Sequence, residues 1–333
     1  MTFVSRFTKA AAVGGVLALA LAGCSSGNTD STPGTSGESS TSNELTTLKV
    51  MVSGSVGDGA LLGGMEQGFF EEEGLELDVT ISPNPPAAMA AVQSGEVEIV
   101  MTPTIPYLTA LSQGISAITV APMSGFPAEN QGDYDDTLLL AHPDRGITSI
   151  EDLAGKTVSV PARKAMFEIV IQNALEGSNV TVDDINWVTL DFASAASALR
   201  EGTVDATVLP LPFSVQALAA GAVEIAKPIS EFVGEGSWVL WLTGANTAES
   251  KKSEIASFQR AMRKSNEWAN ENPEVASQVA LDFLESPLAV EDIAVPYWPL
   301  SVSVEELERL NKRLVELGAI ENPADLTNVI FEG

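Results

Sequence analysis

Few residues in this chain could do covalent or metal chemistry. There is one histidine, His142, and one cysteine, Cys24, in 333 residues. A Ser-His-Asp triad would have to be built on His142, and a histidine-rich or thiolate metal site is excluded. His142 sits in Ala141-His142-Pro143-Asp144, a turn-like setting with no nucleophile elbow nearby, and reads as structural. The acidic pairs Asp135-Asp136 and Asp183-Asp184 could in principle exchange protons or hold calcium. Neither has the spaced Asp-x-Asp-x-Asp-Gly pattern, so both read as solvated loops. No catalytic residue, metal or cofactor is therefore assigned. With 45 acidic against 17 basic residues and a net charge of −28, the chain repels phosphate backbones, and nucleic acid is not an expected partner.

Cys24 has a more specific setting. Residues 10–22 are apolar, a run too short for a bilayer core that needs about twenty residues, with Arg6 and Lys9 before it and small residues after. The ending Leu21-Ala22-Gly23-Cys24 resembles the lipobox of bacterial lipoproteins. That resemblance implies a signal peptide over 1–23 and a lipid on the Cys24 thiol, which becomes the N-terminus. The mature chain would then sit on the extracytoplasmic face of the cell membrane. Residues 25–43 are almost all Ser, Thr, Gly and Asn, so 24–46 is expected to be a flexible tether. No later stretch reaches eighteen apolar residues, which leaves lipid as the expected membrane attachment.

From Leu48 onward, strand-like and helix-like segments alternate with short turns, the pattern of a mainly parallel α/β sheet. The order then repeats. A gapless shift of 107 residues pairs Ala88 with Ala195, Gly95 with Gly202, Val97 with Val204, Pro103 with Pro210, Gly114 with Gly221 and Ile118 with Ile225. Chance overlap of Ala-rich helices would not align the Gly and Pro punctuation, so two similar lobes are expected. They are placed at 47–139 with 243–333, and at 140–242.

Open parallel sheets bind ligands beyond the carboxyl ends of their strands, where turns and helix N-termini offer free N–H groups. If the lobes face each other, one wall is Ser53, Gly54, Ser55, Thr102, Thr104 and Ser124, and the other is Pro161, Ala162, Arg163, Pro210 and Phe213. Arg163 could neutralise an anionic head group or be a solvated surface charge. Thr104, just before Ile105-Pro106, could bind ligand or cap a helix. Met101, Met123 and Met166 could make a pliable pocket, whereas Met51 reads as core. Trp238 and Trp241 lie in a strand-like run taken as the return crossing and must face opposite ways, so Trp238 could stack on a planar ligand. Ser303 to Glu306 reads as a capping box, with Leu307, Leu310 and Leu314 on one apolar face.

Glu66-Gln67-Gly68-Phe69-Phe70-Glu71-Glu72-Glu73-Gly74-Leu75 resembles the G-F-F-x-x-E-G-L block of periplasmic binding proteins in the nitrate, sulfonate and taurine transport family. Residues 91–99 (AVQSGEVEI), 150–158 (IEDLAGKTV) and 272–276 (NPEVA) resemble later blocks in the same order. The resemblance implies a type II periplasmic-binding fold with two crossings, a small anionic or aromatic organic ligand, and delivery by a monomer to an ABC permease. Val160-Pro161-Ala162-Arg163 departs from the Gly- and Ser-rich turn of oxyanion binders, which speaks against nitrate or a simple sulfonate. Two other classes stay open: an enzyme on this fold, like the family's pyrimidine synthase, and a lipoprotein that scaffolds or signals by protein contact.

Overall fold

The computed structural model describes residues 45–82 and 85–333. The expected signal peptide, Cys24 and nearly all of the tether lie outside the described residues.

Among the described residues, alternating or continuous apolar runs make ten strands. They are β1 (Thr46–Val52), β2 (Leu75–Ile81), β3 (Ile99–Pro103), β4 (Ile118–Phe126), β5 (Leu138–Ala141), β6 (Thr157–Val160), β7 (Asn186–Thr189), β8 (Ala206–Leu209), β9 (Val223–Ala226) and β10 (Gly236–Thr243). In β1 the period of two buries Leu48, Val50 and Val52, and β3, covered on both faces, is buried throughout.

The strands form two five-stranded sheets, ordered β2-β1-β3-β10-β4 and β7-β6-β8-β5-β9. In each, the fourth place belongs to an antiparallel strand from the chain's crossing between halves: β10 beside β3 and β4, β5 beside β8 and β9. The Leu138–Ala141 strand was not anticipated, because a run of four apolar residues carries no periodicity of its own. The boundary expected at 242 also differs. All of β10 pairs within the first sheet, so the chain changes sheets between Ala226 and Gly236, and on the outward path between Phe126 and Leu138.

The repeat is visible in the backbone. Helix Gly59–Glu66 corresponds to Met166–Ala174 and helix Pro85–Ser94 to Phe192–Arg200. Gly95 and Gly202 close the second pair with φ of 74° and 70°, a left-handed conformation that side chains disfavour. The repeat slips by one residue inside the sheets. Ile99 and Ala206 are 107 apart, but their parallel partners Val50 and Val158 are 108 apart.

Two of the C-terminal helices cover the first half. Ile255, Phe258 and Met262 of Lys252–Glu271, with Ala280 and Leu281 of Pro273–Phe283, share one core with Leu48, Val50, Ile99 and Trp241. Helix Val304–Glu316 places Leu310 and Leu314 in a cluster that joins Ile105 and Leu108 of the first half to Ile169, Val170 and Ile229 of the second. Its capping box is half made. Ser303 accepts the Glu306 N–H, while the Glu306 carboxylate accepts from the Ser237 N–H at the start of β10.

Candidate functional site

A cavity of about 560 Å³ lies between the sheets. The first half supplies the loop after β1, residues 53–57, together with Met101, Pro103, Ser124, Gly125 and Phe126. The second half supplies Met166 and Phe167 at the start of a helix, and Pro210, Leu211 and Pro212 after β8. The crossings add Tyr134, Asp135, Asp136 and Thr137 on the outward path, and Ile229, Trp238 and Val239 on the return. Leu281, residues 284–288 and Pro296 complete the wall.

Of the residues singled out from sequence, Ser53, Gly54, Ser55, Ser124, Pro210 and Trp238 line this cavity. Thr102, Thr104, Pro161, Ala162, Arg163 and Phe213 do not, each for a local reason. Alternation along β3 turns Met101 and Pro103 to the cavity and Thr102 away, where its hydroxyl donates to the Met101 carbonyl at 2.8 Å. Thr104 is fully buried and donates to the Ser237 and Trp238 carbonyls, both at 2.9 Å, so it binds the helix start to β10. Phe213 packs on Phe192 with ring centroids 6.3 Å apart, inside the second half's own core.

Arg163 is drawn away by the chain's own carboxylate. Its Nε donates to Glu168 at 2.6 Å, and its guanidinium lies over the Trp187 ring, 5.2 Å from the centroid. Pro161 and Ala162 leave with it. Met166 and Phe167, a few residues on, form the cavity wall instead.

The first-half loop is held in an analogous way but faces the cavity. Asp58, 1 % exposed, accepts the Gly54 N–H at 3.0 Å and the Ser55 N–H at 2.7 Å on Oδ2, while Oδ1 has no partner. Burial pushes the Asp58 carboxyl up to about 7, only partly opposed by those two N–H groups.

Asp135 and Asp136, taken from sequence as a solvated pair, are instead at the cavity. Asp135 is 3 % exposed and accepts the Ser230 N–H at 2.7 Å and the Thr137 N–H at 3.1 Å, tying the two crossings together. Burial pushes it up to about 6. Asp136 accepts from the Thr137 hydroxyl at 3.1 Å and is likewise raised by burial. Sequence reading also passed over Phe126, Tyr134, Phe167 and the segment from 281 to 296. The repeat held a usable signal: segments lying between its two copies have to cross from sheet to sheet, and crossings border the space between them. Trp238 and Trp241 do face opposite ways, Trp238 to the cavity and Trp241 into the core, edge-on to Phe258. His142 lies elsewhere, its Nδ1 accepting the Asp144 N–H at 3.2 Å in a turn.

Two sheets of this strand order with a cavity between them define the fold of periplasmic binding proteins. The structure resembles the periplasmic aliphatic sulphonate binding protein SsuA from Escherichia coli with a TM-score of 0.70, at 17% identity over 86% of this chain and 97% of that one. It resembles the periplasmic nitrate-binding protein NrtA from Synechocystis PCC 6803 with a TM-score of 0.64, at 12% identity over 85% of this chain and 84% of the other. The chain belongs to the NMT1/THI5-like family, whose pattern matches residues 59–276. It is 25% identical over 252 residues to the formylaminopyrimidine-binding protein of Halalkalibacterium halodurans, covering 74% of this chain and 73% of that protein.

Proposed function

We propose that this chain is the extracytoplasmic solute-binding component of an ABC importer. It captures a small organic molecule between its two halves and passes it to a membrane permease. Lipid on Cys24 and the segment up to residue 46 keep the monomer within reach of that permease, and no reaction is assigned to it. The observation that carries this reading is the cavity walled by both sheets and both crossings, whose 560 Å³ falls within the range usual for small-molecule sites. The names of the relatives agree with it, each being a binding protein for a small solute. The position of His142 in a capped turn away from the cavity gives no support to a histidine-based enzyme.

Small-angle scattering of the mature chain, with and without molecules released from the purified protein by denaturation, tests the reading. A smaller radius of gyration with the released molecule is the expected result. An unchanged profile, together with no retained molecule in native mass spectrometry, would sink it.

A further inference from the structure

The charges around the cavity have one sign. Among the described residues no Lys, Arg or His lines it, whereas Asp135, Asp136 and, at its exposed rim, Glu285 do. Asp135 is spent on the Ser230 and Thr137 N–H groups. Asp136 accepts a neutral hydroxyl and takes part in none of the ion pairs among the described residues. A carboxylate removed from water without a cation is costly, and a positive ligand group would offset that cost.

The turns that could have cradled an anion are already filled. Asp58 takes the Gly54 and Ser55 N–H groups in the first half, and Glu168 takes the Lys164 N–H at 2.7 Å in the second. Asp58 thus occupies the donors of the one loop that faces the cavity, where an anionic ligand would need them. Independently of the acidic residues, Ser53 belongs to the cavity wall and its hydroxyl is buried with no hydrogen-bond partner, so it gains a partner when the side chain turns toward a ligand. The rest of the wall offers flat apolar surface from Trp238, Phe126 and Phe167.

We propose that the cavity selects a planar ligand bearing a positive charge, an amidine or amine group paired with Asp136 while its ring lies among Trp238, Phe126 and Phe167. The inference rests on the solute-binding reading and reverses the ligand charge that Arg163 had suggested. Asp136 is thus a specificity residue, and Ser53 supplies a second polar contact.

Benzamidine, benzamide and benzoate share size and shape but carry charges of opposite sign or none, so calorimetric titration of the full mature chain with each reads the charge preference directly. Benzamidine should bind about tenfold or more tighter than benzamide, and benzoate weaker still, since a charge-assisted hydrogen bond is lost at each step. Asp136→Asn should abolish the preference, and an unchanged circular dichroism spectrum with cooperative thermal unfolding shows that the variant is folded. Equal affinity for all three, tighter benzoate, or a preference that survives Asp136→Asn overturns the inference but leaves a solute receptor. Failure of all three at about 10 mM, with a different retained molecule found by native mass spectrometry, also overturns the inference alone. Failure of all three with no retained molecule overturns the solute-binding reading as well.

Discussion

The two halves share a strand order but not a site. In the first, the loop after β1 is pinned by Asp58 and presents Ser53, Gly54 and Ser55 to the cavity. In the second, the matching loop after β6 is pinned by Glu168, but Arg163 swings onto Trp187 and the cavity is walled by Met166, Phe167 and the segment after β8. The halves also differ in cover. Lys252–Glu271 and Pro273–Phe283 enlarge the core of the first sheet, while the second sheet, with four residues in every strand, has a core drawn from residues 138–226. Repetition therefore built the scaffold and part of the wall, and the two halves of the site differ through what lies outside the repeat, the crossings and the C-terminal segment, and through the partners that each loop carboxylate found.

The difference in cover gives the largest expected effect. Trp241, on an interior strand of the first sheet, is fully buried, whereas Trp187, on an edge strand of the second sheet, is only partly buried. Trp241→Ala should cost about 3–5 kcal/mol of folding free energy in urea titration. Trp187→Ala, which loses a partly exposed ring and its 2.8 Å indole bond to the Val182 carbonyl, should cost about 1–2 kcal/mol. Equal costs would mean that the C-terminal helices do not make the first half the more deeply packed one.

A smaller effect follows from how each loop carboxylate is paired. Glu168 has a guanidinium beside it, and Asp58 has only backbone N–H groups and a buried, unpartnered oxygen. Burial raises the Asp58 carboxyl to about 7 from its ordinary value of 3.8, so between those values the folded chain holds a proton that the unfolded chain releases. The stability contributed by this group is complete below about pH 4 and is lost as pH rises through about 7. Asp58→Asn cannot titrate. The difference in unfolding free energy, natural chain minus variant, should fall between pH 4 and pH 8, by an upper value of about 4 kcal/mol at about 1.4 kcal/mol per unit. A flat difference would show that Asp58 is ionised throughout and that the two loops are held alike.

Much of the scaffold was legible before the structure. The paired Gly and Pro positions at 95 and 202, 103 and 210, and 114 and 221 located turns and strand ends correctly, because those residues act through local backbone geometry. The gapless spacing hid the slip in β1 and β6, since apolar residues flanking a buried strand can match in either register. The site was half legible. Ser53 to Ser55, Ser124, Pro210 and Trp238 follow from strand ends and alternation. Where the Arg163 side chain goes depends on Glu168 and Trp187, and Asp135 depends on Ser230, 95 residues away. No local pattern records such partnerships. Tertiary pairing turned an apparent ligand cation into a surface strut and an apparent surface pair into a cavity wall.

The smallest effect is the sharpest test of that reversal. The Arg163 side chain is 44% exposed, and removing it leaves Glu168 with the Lys164 N–H still in place. Arg163→Ala should therefore cost about 1 kcal/mol or less, from one partly exposed ion pair and one ring contact. Because the guanidinium lies over Trp187 and not on the cavity, the affinity for benzamidine should change by less than about twofold, with any change toward tighter binding as a like charge is removed. An anion site built on Arg163 requires the opposite: benzoate binding in the natural chain that falls by about tenfold or more in the variant. That result would return Arg163 to the cavity and make the two loops equivalent in role as well as in fold.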